Sequence, residues 1–527
     1  SCSRDWSSDV CSSDLNPAPM DGWRVSWKGL SPWQGGVIDV KEKAEGNGSL
    51  FVNDESEREN RSASYPQPVP LPKKGFKVAF KHKTTKGQTF LFSLSYLKAD
   101  GEWMSGCNTD IPVESKTEWQ SFEREVSGFP AGAASCRFTI YAAGYQEPGL
   151  ATGGLWLDAL SVTDLDTGRE AVEGGSFEPV DAAAVTPVFD WAAWDAAMER
   201  AFTNYHFNSF VIHVDGLGGG TFQGRSEPSF LGYKEDAPEY DVLLGKYLKG
   251  IESHLREKGW LDKAYVYWFD EPDPKDYAYV MNGFAKLKKH APGLRRMLTE
   301  QVEKELVGGP NLWVPLTPHL NVEGLAERRA AGDQFWWYVC CGPTAPYATE
   351  FIDHPGTELR VWLWQTWAER VTGVLIWETV YWTSGNAYPS RDAPQNPYLD
   401  PMCWVSDGEL APGTKRPWGN GDGRFLYPPL AAADGKPAAP VLDGPVDSVR
   451  LEMLRDGVEE YEYFAMLKRL LDAKGAKLDK RERENAEALL KVPADVSASL
   501  TRFTADPAPI EAHRDALARA IVELQKK

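Results

Sequence analysis

The chain has 527 residues, with 76 acidic against 57 basic side chains and a formal net charge of −19. So acidic a balance disfavours nucleic acid or an anionic membrane as partner, because both would repel it, and it leaves neutral substrates open. No apolar run approaches the ~20 residues of a bilayer-spanning helix, so no membrane insertion is expected, and the length suggests about three domains.

Residues 1–15 read SCSRDWSSDVCSSDL. The stretch resembles translated sequencing-adapter read-through of the kind found at broken edges of metagenomic assemblies, and it is set aside as an artefactual tail. On that reading the natural N-terminus is missing and the compartment stays open, periplasmic or secreted being compatible with the rest. Cys2 and Cys11 go with the tail. The other five cysteines, Cys107, Cys136, Cys340, Cys341 and Cys403, have neither metal-ligand spacing nor the density of a disulfide framework. No metal and no cofactor is expected.

Residues 16–180 carry short alternating segments, GFKVAFKHK, FLFSLSYLK, SCRFTIYAAGY and LWLDALSVTDL, separated by Gly, Pro, Asn and Asp clusters. Period-two alternation between turn signals predicts an all-β, jelly-roll-like sandwich. The closing segment GLWLDALSVTDL followed by GGSFE resembles the last strand of jelly-roll carbohydrate-binding modules. Trp103, Trp119 and Tyr141 are candidates for a binding face, with ordinary packing as the competing reading.

Residues 181–470 alternate helix and strand. PVFDWAAWDAAMERAFTNY reads as a helix capped near its Pro and Asp, and NSFVIHVDG as the strand after it. Further apolar strands follow in AYVYWFDE, RRMLTEQ, NLWVPLTP, QFWWYVCCGP and GVLIWETVYW, with helices in EYDVLLGKYLKGIESHLREKG, YAYVMNGFAKLKKHA and TELRVWLWQTWAERV. This order predicts an α/β fold of the (β/α)8-barrel type. Six strands are visible where a closed barrel needs eight. The missing pair is placed upstream of residue 16, with the sandwich inserted between the second and third strands; the alternative is the aperiodic stretch from Asp164 to Thr186. A long Pro/Gly/Asn-rich segment after the last strand, holding Trp404, Trp418, Phe425 and Tyr427, is expected to be an ordered loop over the strand ends. The helix DSVRLEMLRDGVEEYEYFAMLKRLLDAKG is expected to open with Asp447 as N-cap, and residues 471–527 to form a helical appendage.

The chemistry centres on AYVYWFDEPDP, where an apolar strand ends in Asp270 and Glu271 and is stopped by Pro272. A buried strand that delivers acids to its C-terminal end is how barrel enzymes present a catalytic acid. Successive strand residues face opposite ways, so both acids can serve one site only if the strand ends or bends there. Two close carboxyls split their pKa values, as an acid/base pair requires; an acidic capping turn is the competing reading. Glu300 in MLTEQ and Glu378 in IWETVYW are the other acids near predicted strand ends. Each is a possible nucleophile of a conventional retaining glycosidase, a sugar-binding acid or a structural one. Among the 21 tryptophans, most lie between Trp260 and Trp418, and aromatic surface of this kind lines sugar clefts. Trp268, Tyr338, Trp377 and Trp382 are candidate substrate contacts, together with Asn386 and Tyr388 in the long loop. GLGGGTF, residues 216–222, lacks the GK[ST] and dinucleotide spacings and is read as a strand-end loop. His213 and Asp215 just before it are candidates to reach the site, with a core histidine as the favoured competing reading.

YWFDEPDP, TELRVWLWQTW preceding GVLIWE, and RLEMLRDGVEEYEY, in that order over roughly residues 185–470, resemble the catalytic domain of glycoside hydrolase family 123 and its uncharacterised relatives. The resemblance implies a retaining, exo-acting β-N-acetylgalactosaminidase-like hydrolase with a carbohydrate substrate. It implies Glu271 as general acid/base and Asp270 as the residue that orients the substrate's own 2-acetamido group, which acts as nucleophile. Two alternatives stand beside it: a glycosidase of other specificity using Glu300 or Glu378 as nucleophile, and a non-catalytic carbohydrate-binding protein.

Overall fold

The fold is mixed α/β, and its β content is divided among many small sheets. A computed structural model describes residues 23–30, 33–56, 60–144, 152–384, 394–405, 415–437 and 439–526. The chain divides into two compact units, residues 1–268 with 285–294, and residues 269–284 with 295–527.

In the first unit two antiparallel sheets share one core. One sheet runs in the order Val37–Asp39, Ser49–Asp54, Gly153–Asp164, Phe76–Thr84, Gln120–Val126; the other runs Ser62–Pro70, Ser135–Tyr141, Phe90–Leu97, Thr109–Val113. The alternation seen in FKVAFKHKT becomes strict alternation of buried and half-buried positions, which aims Phe76, Val78 and Phe80 at Phe90, Phe92 and Phe138 of the facing sheet. Phe80 and Phe92 stack with centroids 5.7 Å apart. Trp103 is 51 % exposed, and Trp119 and Tyr141 are half-buried.

Both sheets lie in the chain between two strands of one further ladder, Arg24–Lys28 paired antiparallel with Thr186–Asp190. The PVFD segment expected to open a helix is therefore strand. Its side chains alternate in exposure, and the helix starts only at Ala192, behind Trp191 and with no side-chain cap. Phe210–Val211 pairs in parallel with Ala264–Val266. Helix Pro238–Glu257 buries Tyr240, Leu243, Leu244, Tyr247, Leu248, Ile251 and Leu255 at helical spacing. Gly250 in this helix has no alternative, since a Cβ there would run into the Phe189 ring. GLGGG is no phosphate cradle: Gly219–Thr221 pairs with Gly224–Ser226 as a hairpin.

In the second unit Arg295–Leu298, Leu312–Trp313 and Gln334–Phe335 form a parallel ladder. Trp337–Tyr338 pairs in parallel with Val374–Leu375, and a parallel bridge joins Leu316 to Tyr338. Helix Thr357–Ala368 is buried from Glu358 through Thr366, the polar Glu358, Arg360, Gln365 and Thr366 included. It packs against helix Val449–Lys474, where Gly457 permits the close approach. A Cβ at Gly457 would lie 3.1 Å from both the Arg360 Cα and the Leu359 carbonyl oxygen. Arg360 forms a buried ion pair with Glu460, which also accepts from Trp364 Nε1 at 2.8 Å. The N-cap of the Val449 helix is Ser448, whose side chain accepts from Leu451 N–H. The expected cap, Asp447, sits instead in a strand paired with Leu426–Tyr427. The last helices, Lys480–Leu489 and Pro507–Lys526, share a core with the Thr357 and Val449 helices through Ala486, Leu517, Val361, Trp364 and Phe464.

Candidate active site

The AYVYWFDEPDP text forms strand at Ala264–Val266 and again at Phe269–Asp270. The site described here lies in the second unit, which begins at Phe269; Trp268 falls in the first. Glu271 has φ of +42°, a left-handed conformation that is uncommon outside glycine and disfavoured for the residue before a proline. This turn ends the strand between the two acids, so the alternation that would send them to opposite faces does not apply.

Thr299 ties the two acids together. It follows directly on strand Arg295–Leu298 and is 4 % exposed. Its Oγ1 accepts the Glu271 backbone N–H at 2.8 Å and donates to Asp270 Oδ1 at 2.8 Å. From the end of the next parallel pair, the buried Tyr338 hydroxyl donates to Glu271 Oε1. Burial, and then the neighbouring Asp270 charge, raises the Glu271 carboxyl above its ordinary value, against the opposing pull of the Tyr338 hydrogen bond. Burial and the Glu271 charge raise the Tyr338 phenol in turn, so it stays a donor.

Glu300 is next in chain to Thr299 and is pushed up to about 7. Burial is the main cause, opposed by the Gln301 N–H and reinforced by Glu303, Glu271 and Asp273. Burial and the charges of Glu300, Glu303, Glu305 and Asp273 raise the Tyr277 phenol. Tyr277 lines a cavity of about 770 Å³ with Pro274, Ala278, Met281, Glu303 and Glu305. This cavity and Thr299 carry no motif of their own in the sequence; adjacency to Glu300 is the one signal that pointed toward Thr299.

Beyond Val374–Leu375, Trp377 donates its indole N–H to Asp422 Oδ1 at 2.7 Å. Glu378 Oε1 accepts the backbone N–H groups of Thr379 and Val380 at 2.8 and 3.1 Å. Trp382 Nε1 donates to the Leu426 carbonyl. Asn386 and Tyr388 lie outside the described residues. Among the described residues no group of three or more His, Cys, Asp or Glu could hold a metal ion, and no helix is long and apolar enough to cross a membrane.

No curated protein matches the chain. Among solved structures, a family 123 glycoside hydrolase from Clostridium perfringens aligns over 96 % of this chain and 98 % of its own, at 12 % identity and a TM-score of 0.35. The enzymatically active domain of bacteriophage CBA120 tailspike protein 4 aligns over 27 % of this chain at 15 % identity and a TM-score of 0.19; the alignment spans only 19 % of that protein. A xylan-binding CBM22-1 domain from Paenibacillus barcinonensis Xyn10C aligns over 29 % of this chain and 88 % of its own, at 13 % identity and a TM-score of 0.19. The family model described as glycoside hydrolase 123, catalytic domain, matches residues 221–467, which include both strand-end acids. Over that span the chain matches the glycoside hydrolase 123 catalytic domain, and the enzyme class this supports is glycoside hydrolase.

Proposed function

We propose that the protein is a retaining, exo-acting hydrolase of 2-acetamido sugars, β-N-acetylgalactosaminidase-like, in which the substrate's acetamido group is the nucleophile. Glu271, protonated, gives its proton to the glycosidic oxygen as the C1–O bond breaks and the acetamido carbonyl oxygen bonds to C1. Asp270 accepts the acetamido N–H and so orients that oxygen and supports the positive charge that develops. Glu271, now a carboxylate, then takes a proton from the water that opens the cyclic intermediate, with retention at C1.

The observation that carries this reading is the single Thr299 hydroxyl bonded to both Asp270 and the Glu271 backbone. It fixes the two acids relative to each other at the chain turn. The raised Glu271 carboxyl suits a group that must arrive protonated. The conventional alternative has weak candidates. Glu300, pushed up to about 7, is only half ionised at neutral pH, and Glu378 is engaged with its own backbone turn.

The parallel strands and helices of residues 181–470 are read as a β/α barrel. The paired antiparallel sheets of residues 16–180 are read as a carbohydrate-binding sandwich, with the exposed Trp103 as its first candidate contact. The test of function is hydrolysis of aryl 2-acetamido-β-glycosides against the matching 2-hydroxy glycosides. Turnover of only the latter would sink the acetamido mechanism. Unchanged turnover in Glu271→Gln would remove Glu271 from the chemistry.

A further inference from the structure

Two carboxyl groups, Glu350 and Asp422, lie together in the second unit, each 0 % exposed. Glu350 Oε2 and Asp422 Oδ2 are buried without a hydrogen-bond donor. Their other oxygens are engaged: Asp422 Oδ1 accepts the Trp377 indole N–H, and Glu350 Oε1 accepts the Gly423 backbone N–H at 3.4 Å. The cations nearby do not pair with them. Arg450 is spent on the carbonyl oxygens of Glu350, Gly421 and Arg424, while Arg424 donates to the Tyr381 carbonyl, Ser384 and Gln395. The remaining titratable neighbour is the Cys340 thiol. Two buried acids facing each other, with no cation paired to either and one orphaned oxygen apiece, are satisfied together by one proton between them.

The chain around Asp422 is shaped to meet Trp377. Gly421 and Gly423 have φ of +84° and +70°. A Cβ at Gly423 would lie 2.8 Å from Trp377 Cζ2 and 3.1 Å from Tyr381 Cβ, so the backbone lies directly against the aromatic pair. Trp377 and Tyr381 meet edge to face at 5.1 Å.

We infer that Glu350 and Asp422 share one proton and act as positioning residues that hold Trp377, through its indole N–H, as a sugar-binding platform. The shared proton gives Glu350 a donor toward the orphaned Asp422 oxygen, and leaves the other Asp422 oxygen to accept the Trp377 indole N–H. This rests on the reading of Trp377 as a substrate contact.

Infrared difference spectra between wild type and Glu350→Gln near neutral pH are expected to contain the carbonyl stretch of one protonated carboxylic acid, present only in the wild type; its absence overturns the shared proton. Asp422→Ala is expected to raise KM about tenfold with kcat within about twofold, the size of one lost buried hydrogen bond. Trp377→Phe is expected to raise KM similarly, and the double variant no further than either single change. Additive effects, or a lowered melting temperature with KM unmoved, overturn the positioning role. Glu350→Gln, which keeps a donor toward Asp422, is expected to restore most of the KM lost in Glu350→Ala. Where Asp422→Ala does not fold, a wild-type KM in Trp377→Phe decides against the inference. KM is read on whichever aryl glycoside is hydrolysed, so failure on 2-acetamido sugars removes the substrate assignment without deciding this one.

Discussion

The hydroxyl of Thr299 serves both acids at once, so its removal takes away the acceptor of the Glu271 N–H and a donor to Asp270 Oδ1. Thr299→Val preserves the shape of the side chain and deletes both bonds. It is expected to lower kcat/KM by about 10- to 100-fold, from ~1–3 kcal/mol of lost orientation, while Thr299→Ser retains most of the activity. Equal activity in the two variants would show that the hydroxyl does not matter. Tyr338 acts on one acid only. Its bond favours the Glu271 carboxylate, so Tyr338→Phe is expected to raise the Glu271 pKa further and move the alkaline limb of the pH–kcat/KM profile upward. A downward move would mean that Tyr338 is not the donor that tunes this acid. Thr299 has no sequence signature because a lone threonine at a strand end is ordinary. Tyr338 was legible as a strand-end aromatic, but its bond spans 67 residues of chain, which no local pattern encodes.

At the scale of elements, the short word DEP held more than its composition tells. The apolar run and the proline were readable as a strand and its stop, whereas the left-handed Glu271 was not. A non-glycine residue in that region before a proline goes against local preference and persists only because the surroundings fix it. The same contrast runs through the helices. Helix Pro238–Glu257 was legible because its apolar side chains recur at helical spacing. The helix read from PVFD onward starts only at Ala192, because Arg24–Lys28, more than 150 residues upstream, pairs with Thr186–Asp190 as strand. RLEMLRDGVEEYEY is chiefly structural. Gly457 admits the Thr357 helix, Glu460 binds Arg360 and Trp364, and Arg450 ties down the carbonyl groups beside Asp422. Gly457→Ala is therefore expected to destabilise the protein by about 1–2 kcal/mol in denaturant titration, although alanine is the better helix former. A stabilised variant would mean that the two helices are not held this close.

For the molecule as a whole, the raised acids make stability depend on pH. The Glu300 carboxyl has an ordinary value of 4.5 and stands at about 7 in the folded chain. Between those values the folded state keeps a proton that the unfolded chain has released. Its contribution is thus fully present below about pH 4.5 and lost as pH rises through about 7. Glu300→Gln removes this loss: relative to wild type, its denaturation midpoint is expected to rise between those pH values and to level off above them. A constant offset across that range would contradict the burial of Glu300 as a protonated acid. The −19 net charge is spread over the whole sequence and does not bear on this difference.

The central claim is that the substrate's acetamido oxygen attacks C1 while Asp270 and Glu271 manage the protons. The most direct measurement is kcat/KM for aryl 2-acylamido glycosides whose acyl methyl carries successively more fluorine atoms. Each fluorine withdraws electron density from the carbonyl oxygen and changes little else. Participation requires a steep decline along the series, shared by k for the first chemical step. A rate that stays flat across the series, with retention still observed, would contradict the account and return the nucleophile to a carboxylate of the protein.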